Sequence, residues 1–267
     1  MILSDHLHRK LELKSPPLRI VSLVPSQTEL ICDLGLESRL VGVTKFCVHP
    51  SHLKKDKTIV GGTKKVNIEK IVALNPDLVL CNKEENTLEI VSQLEKVCQV
   101  HVSDVKTVED NFSLIEDYGK LLGVEGKAEA LVLEIKRELS KLKIALKDTP
   151  VLKVVYAIWK NPWMACGGDT YISDVLELIK LENRFKRSHR YPEFNLNEIN
   201  LGDIDFMLLS SEPYPFSKLD QEEITQHINQ LKTMLVDGEM FSWYGSRLLK
   251  GIPYLLKLRS SLIADIN

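Results

Sequence analysis

The order of apolar runs and breakers in this chain is written twice, and that repeat limits the fold more than any other feature of its 267 residues. From Arg19 the sequence reads RIVSLV, a Pro-containing break, a stretch at helical spacing (Thr28, Leu30, Ile31, Leu34) and then Leu36-Glu37-Ser38-Arg39-Leu40. From Lys153 it reads KVVYAI, a Pro-containing break, a helical stretch and then Leu181-Glu182-Asn183-Arg184-Phe185. Further along the first half, Asn67-Ile68-Glu69 opens a helix that is followed by Asp77 and the run LVL; in the second, Asn197-Glu198-Ile199 opens one followed by Asp205 and FMLL. Short strands alternating with helices predict parallel sheet. Two ordered copies predict two lobes of the same plan.

Between the copies, Val108 to Leu122 reads as a helix, and Lys127 to Lys147 as a longer one, without Gly or Pro and with Leu131, Ile135, Leu139, Leu142 and Leu146 three or four residues apart. At about 1.5 Å per residue the second would span roughly 30 Å and join the lobes as a stiff connector. The expected fold is therefore α/β: two Rossmann-like lobes joined by a single long helix, with a ligand cleft between them. The expected boundaries are a flexible tail over 1–18, an N-terminal lobe over 19–122, the linking helix over 123–149 and a C-terminal lobe over 150–267.

Hydrophobic residues make up 44 % and charged residues 27 % of the chain, which is enough to build globular cores. A formal net charge of −2 gives no electrostatic drive toward nucleic acid. No apolar run reaches the roughly 18 residues of a membrane span, and the N-terminus shows no signal-peptide pattern. Cys32, Cys47, Cys81, Cys98 and Cys166 are scattered without a CxxC pair and read as buried free thiols. The sequence holds no GxxxxGK[ST], GxGxxG, HExxH or GxSxG motif, which lowers the case for an enzyme. In HPSH, a proline separates His49 from His52 and spoils helical ligand geometry, so no metal site is expected there.

In open α/β sheets ligands sit beyond the carboxyl ends of the strands. In the first half those loops are Pro25 to Glu29, Thr44 to Pro50, Gly61 to Lys65 and Asn82 to Asn86. In the second they are WKNPW (Trp159 to Trp163), CGGDT (Cys166 to Thr170), SSEPYPF (Ser210 to Phe216) and FSWYGSR (Phe241 to Arg247). All three tryptophans fall in these second-half loops. Trp159, Trp163, Tyr214, Phe241, Trp243 and Tyr244 are the expected wall for a flat ligand, and Lys64, Lys65 and Arg247 the cations to read its anionic groups.

The stretches RIVSLVPSQTELICDLGLESRLVGVT, VNIEKIVALNPDLVL and GGDTYISDVLELIKLENRF resemble the class III periplasmic binding proteins, the helical-backbone metal receptors for cobalamin, ferric siderophores and haem, and most of all their cobalamin-binding branch. The resemblance runs from about Arg19 to Arg259. It implies a non-enzymatic, monomeric substrate-binding protein of an ABC importer, periplasmic, with no covalently bound cofactor and with a corrinoid, ferric siderophore or haem as ligand. It also implies that Glu69 and Glu198, each at the start of a surface helix, dock onto the permease. GGTKK lacks the tryptophan that cobalamin-binding members carry in that loop, which leaves the ligand open among the three. Two alternatives stand beside this reading. One is a cytosolic corrinoid- or metallocofactor-binding protein without a transporter. The other is a metal-cluster enzyme in which Cys47, Cys81 and Cys166 would converge.

Overall fold

The computed structural model describes residues 2–196, 204–228 and 231–266. The chain divides into two compact units: Met1–Val105, Glu109–Leu133 and Tyr244–Arg247 form the first, and Lys106–Val108, Glu134–Trp243 and Leu248–Asn267 the second.

The first unit is built on a parallel sheet in the order β5 (Thr58–Ile59), β4 (Leu40–Val43), β3 (Ile20–Ser22), β6 (Leu78–Asn82), β7 (Gln99–Ser103). β3 and β6 are buried along their whole length, as unbroken apolar strings like LVLC require of strands covered on both faces. The helices around them are α1 (Pro25–Asp33), α2 (Leu53–Asp56), α3 (Ile68–Ala73), α4 (Leu88–Leu94) and α5 (Val108–Leu122). Val21, Leu23, Val79, Cys81, Val100 and Val102 from the sheet pack with Ile71, Ile90, Val91 and Leu94 from the helices.

The second unit repeats the plan: β10 (Leu181–Asn183), β8 (Leu152–Trp159), β11 (Phe206–Ser210) and β12 (Thr233–Val236) lie parallel in that order, and β9 (Met164–Ala165) pairs antiparallel with β8. Its helices include α7 (Tyr171–Leu178), α8 (Lys218–His227), α9 (Glu239–Ser242) and α10 (Arg247–Ile266). One of the places where the chain passes between the units falls inside α6 (Glu125–Ala145), a helix that begins and ends two residues earlier than the sequence pattern suggested; the others lie near Lys106–Val108 and at the two ends of Tyr244–Arg247.

The repeat holds at atomic detail. Asp77, just before β6, accepts the Leu18 and Arg19 N–H groups at 2.8 and 2.9 Å, and its own N–H donates to the Arg19 carbonyl at 2.8 Å. Asp205, just before β11, accepts the Lys153 N–H at 2.7 Å while its N–H donates to the Lys153 carbonyl at 2.8 Å. In each unit one aspartate thus pins the start of the strand that will neighbour it.

Two expectations are corrected. The N-terminal segment is an antiparallel hairpin of β1 (Ile2–Ser4) and β2 (Lys10–Glu12) rather than a loose tail. The buried Asp5 carboxylate fixes it by accepting N–H groups from Leu7, Arg9 and Val102 and pairing with Arg9 at 2.6 Å. Burial alone would raise that carboxyl, but Arg9 and the backbone donors outweigh it and hold it below the usual range. Pro25 to Glu29 is not a loop: α1 begins at Pro25, where the missing N–H of proline costs a first-turn residue nothing.

Candidate ligand-binding site

Both sheets change winding direction once, between β3 and β6 in the first unit and between β8 and β11 in the second. At such a switch point the crossovers leave on opposite faces, and the carboxyl ends of the two strands are left uncovered.

In the second unit those ends carry Trp159, at the last position of β8, and the segment Ser211–Phe216 after β11. Trp159 is 39 % exposed and meets Tyr214 edge to face at 5.7 Å. Tyr214 leans on Phe216 at 4.6 Å, and Phe216 stacks with Trp163 at 5.6 Å and an interplanar angle of 11°. Phe194 extends the group at 6.1 Å from Trp163. Lys160 Nζ sits 6.0 Å from the Trp163 ring and is held by Asp220 and Glu223 at 2.9 and 2.6 Å. Hydrogen bonding to Glu223 raises its pKa, so the amine keeps its charge. A pocket of about 390 Å³ opens beside Pro162, Trp163, Phe194 and Glu223.

Glu212, in the same segment, accepts the Ser242 hydroxyl at 2.5 Å and the Trp243 indole N–H at 3.1 Å. Trp243 is thereby buried with its one donor satisfied. Phe241 is 0 % exposed, packed against Tyr156 at 5.0 Å and Tyr254 at 6.4 Å. It lies in α9, inside the core of its unit, because the loop expected over Phe241 to Arg247 begins as a helical turn.

The first unit is different at its switch point. Gln27 of α1 donates to Ser103 Oγ at 2.6 Å and to Tyr244 Oη at 3.0 Å, and its carbonyl oxygen accepts from Tyr118 Oη at 2.8 Å. Burial pushes both tyrosine hydroxyls well above their ordinary range, so they remain neutral. Arg247 donates to Glu29 at 2.8 Å with both side chains buried. Tyr244 and Arg247 are therefore interior members of this unit, not surface contacts. Asn111 closes the same region by accepting the Gly245 N–H at 2.5 Å, and Gly245 takes the positive φ of 83° that this approach requires.

Lys64 and Lys65 lie on a tight turn closed by an antiparallel bridge between Gly61 and Val66. A Cβ on Gly61, whose φ is 128°, would stand 2.6 Å from the Lys65 carbonyl oxygen, so only glycine makes this turn. Both lysines are exposed, Lys64 donating to the Glu84 carbonyl. The turn rims a shallow depression of about 940 Å³ with Lys45, Phe46 and Glu69. Phe46 is 48 % exposed beneath Lys45 Nζ at 5.0 Å, and Glu85 is half-buried on the loop after β6. Burial raises the Glu85 carboxyl, partly opposed by Lys64. Neither residue was singled out from the sequence, although an aromatic in a strand-end loop was a signal available at Phe46.

Glu69 occupies the first turn of α3, which Asn67 caps by accepting the Lys70 N–H at 2.8 Å. Glu198 lies outside the described residues. All five cysteines are free. Among the described residues, the group of His, Cys, Asp and Glu side chains close enough to share a metal contains no cysteine, and Cys47 and Cys81, which lie in one unit, are not brought together as metal ligands. No helix among them is long and apolar enough to cross a membrane.

Two doubly wound units with aromatic and polar side chains at their strand ends define a ligand-binding protein of the α/β class. The family model for periplasmic binding proteins matches residues 20–233, and the chain belongs to that family. A protein of Bacillus subtilis (strain 168) described as an uncharacterized ABC transporter substrate-binding lipoprotein is 26 % identical over 264 residues, 95 % of this chain and 83 % of its own length. The vitamin B12-binding protein of Vibrio campbellii is 28 % identical over 189 residues, 69 % of this chain and 67 % of its own. Among solved structures, the periplasmic vitamin B12 binding protein of Vibrio cholerae superposes with a TM-score of 0.77 at 19 % identity, over 92 % of this chain and 98 % of that one. A periplasmic heme binding protein from Pseudomonas aeruginosa gives 0.77 at 23 %, over 91 % and 92 %. At such identities the structural likeness shows the fold alone.

Proposed function

We propose that this chain is the substrate-binding protein of an ABC-type importer and that its ligand is a metal chelate, a corrinoid, haem or ferric siderophore, held without bond making or breaking. Membership of the family supports the transport role. The observation that carries the ligand class is the aromatic group at the switch point of the second unit: Trp159, Tyr214 and Trp163 are partly open to solvent and are backed by the buried Phe216, which suits a broad, flat, partly apolar ligand. Such chelates carry carboxylate, phosphate or catecholate groups. The exposed Lys64 and Lys65 suit these.

Trp159 and Trp163 report on their own surroundings, so titration with cyanocobalamin, haemin and ferric siderophores followed by tryptophan emission tests the class. One of the three should give a saturable change; a flat response to all would remove the proposal. Glu69, exposed in the first turn of its helix, is proposed to dock onto a cationic site of the permease, with Glu198 in the matching place of the second half. Such contacts orient a complex more than they tighten it. Glu69→Ala should reduce uptake in reconstituted vesicles and leave ligand affinity unchanged. A lowered affinity would show that Glu69 belongs to the ligand site instead. The reading places the chain in the periplasm or its equivalent outside the cytoplasmic membrane, which fractionation of native cells tests.

A further inference from the structure

A set of donor groups lies at the amino ends of β4 and β5, the opposite ends of these strands from the loops that carry Phe46 and Lys64. Glu37 opens a 3-10 turn, Glu37–Arg39, that leads straight into β4. His52 caps the single turn of α2 and Asp56 ends it, four residues apart and hence on one side of it. His52 Nε2 stands 2.8 Å from Glu37 Oε1, and one donor atom from each of the three residues lies within 4.8 Å of the others.

The three are held by different means. Leu53 is fully buried and anchors α2. Lys57 Nζ donates to the Glu37 carbonyl at 2.9 Å, fixing the backbone of the 3-10 turn against the end of α2. The side chains themselves are partly open to solvent, His52 being 49 % and Glu37 37 % exposed. First-row divalent cations bind such nitrogen and oxygen donors at roughly 2.0–2.2 Å, which sets the donors roughly 3.0–3.4 Å apart. The His52–Glu37 pair reaches that spacing by opening a few tenths of an ångström, within the freedom of two exposed side chains. Two carboxylates also balance the charge of the ion, and the neutral imidazole supplies the borderline donor that discriminates against Mg2+ and Ca2+.

We propose that Glu37, His52 and Asp56 form a binding site for a first-row divalent cation, Zn2+ above all, with water completing the coordination. Sequence alone disfavoured His52 as a ligand because its partner was sought in His49, across Pro50. The structure supplies partners four residues on and fifteen residues back instead. A bound ion would clip the segment before β4 to the segment before β5 and so stabilise the edge of the first sheet, by mass action in proportion to the free metal.

The test uses the full chain, freed of any affinity tag and stripped with chelator, titrated calorimetrically with ZnCl2, NiCl2 or CoCl2 and followed by thermal melting. The expected result is one equivalent of Zn2+ bound, a melting temperature that rises with Zn2+, and affinity lower by about tenfold or more in His52→Ala. Glu37→Gln and Asp56→Asn, nearly isosteric, should act in the same direction and carry the conclusion if His52→Ala fails to fold by circular dichroism. Absence of stoichiometric binding, or binding unchanged in all three variants, overturns the proposal. So does a thiolate-to-cobalt absorption band, which would assign the metal to a cysteine.

Discussion

The two switch points share a topology and differ in everything that fills them. In the first unit the space is occupied by the protein itself: Gln27, Ser103, Tyr118 and Tyr244 satisfy one another, and Glu29 and Arg247 form a buried ion pair. In the second unit the corresponding place is an aromatic surface with Trp159 and Tyr214 still open. Two units of one α/β plan thus carry different ends, one internally bonded and one with apolar surface open. The fold dictates where a ligand can sit. The side chains decide which copy supplies the apolar contact.

The comparison breaks most visibly at Arg247. Removing one partner of a buried ion pair strands the other charge, so Arg247→Ala should lower the stability of the first unit by about 3–5 kcal/mol in denaturant titrations. A loss below about 1 kcal/mol would mean that the pair is not buried in solution.

The hairpin end of the same unit gives a pH signature. His101 is buried on β7 beside Tyr118 and His6, and burial, with the charge of His6 adding to it, lowers its pKa to about 4. A histidine depressed in the folded state contributes stability above its ordinary pKa and loses it as pH falls through the folded one. Stability should therefore decline between about pH 6.5 and 4, by about 3 kcal/mol from this residue. His6 works in the other direction: burial would lower its pKa, but Asp117 and the Asp104 carbonyl raise it, so its contribution is present in acid and fades as pH rises. Neither ring nitrogen of His101 has a hydrogen-bond partner among the described residues, so His101→Phe should keep the fold and flatten the acid limb. An unchanged limb would place the acid sensitivity elsewhere.

The smallest expected effect is at Glu85. Its burial-raised carboxyl contributes stability below the ordinary glutamate range and loses it as pH rises through the raised value. Glu85→Gln should thus leave stability at acid pH unchanged and raise it slightly at neutral pH, by about 0.5 kcal/mol, in paired melts at the two pH values.

Much of the fold was legible because parallel strands covered on both faces need nearly continuous apolar strings, and RIVSLV, LVLC and KVVYAI supply them. Asp77 and Asp205 were visible as a repeated position before their shared hydrogen-bonding role was known. The site was harder to read. An aromatic in a Gly/Pro-rich segment looks the same in sequence whether it faces outward, as Trp159 does, or inward, as Phe241 does. A one-turn helix such as α9 is too short to leave a period. The order of the N-terminal hairpin was equally hidden, since it depends on Asp5 meeting Val102, nearly a hundred residues away. His52 shows the same limit: its partners are set by the path of the chain between strands rather than by local spacing.

The central claim is that a metal-chelate ligand binds through the aromatic end of the second unit. Equilibrium dialysis of the wild-type chain and of a Trp159→Ala/Trp163→Ala variant against cyanocobalamin, haemin and ferric siderophores, read by the absorption of the retained ligand, tests it directly. One chelate should be retained by the wild type at one per chain, with affinity lower by about tenfold or more in the variant. Retention of none, or equal retention by both proteins, would contradict the claim.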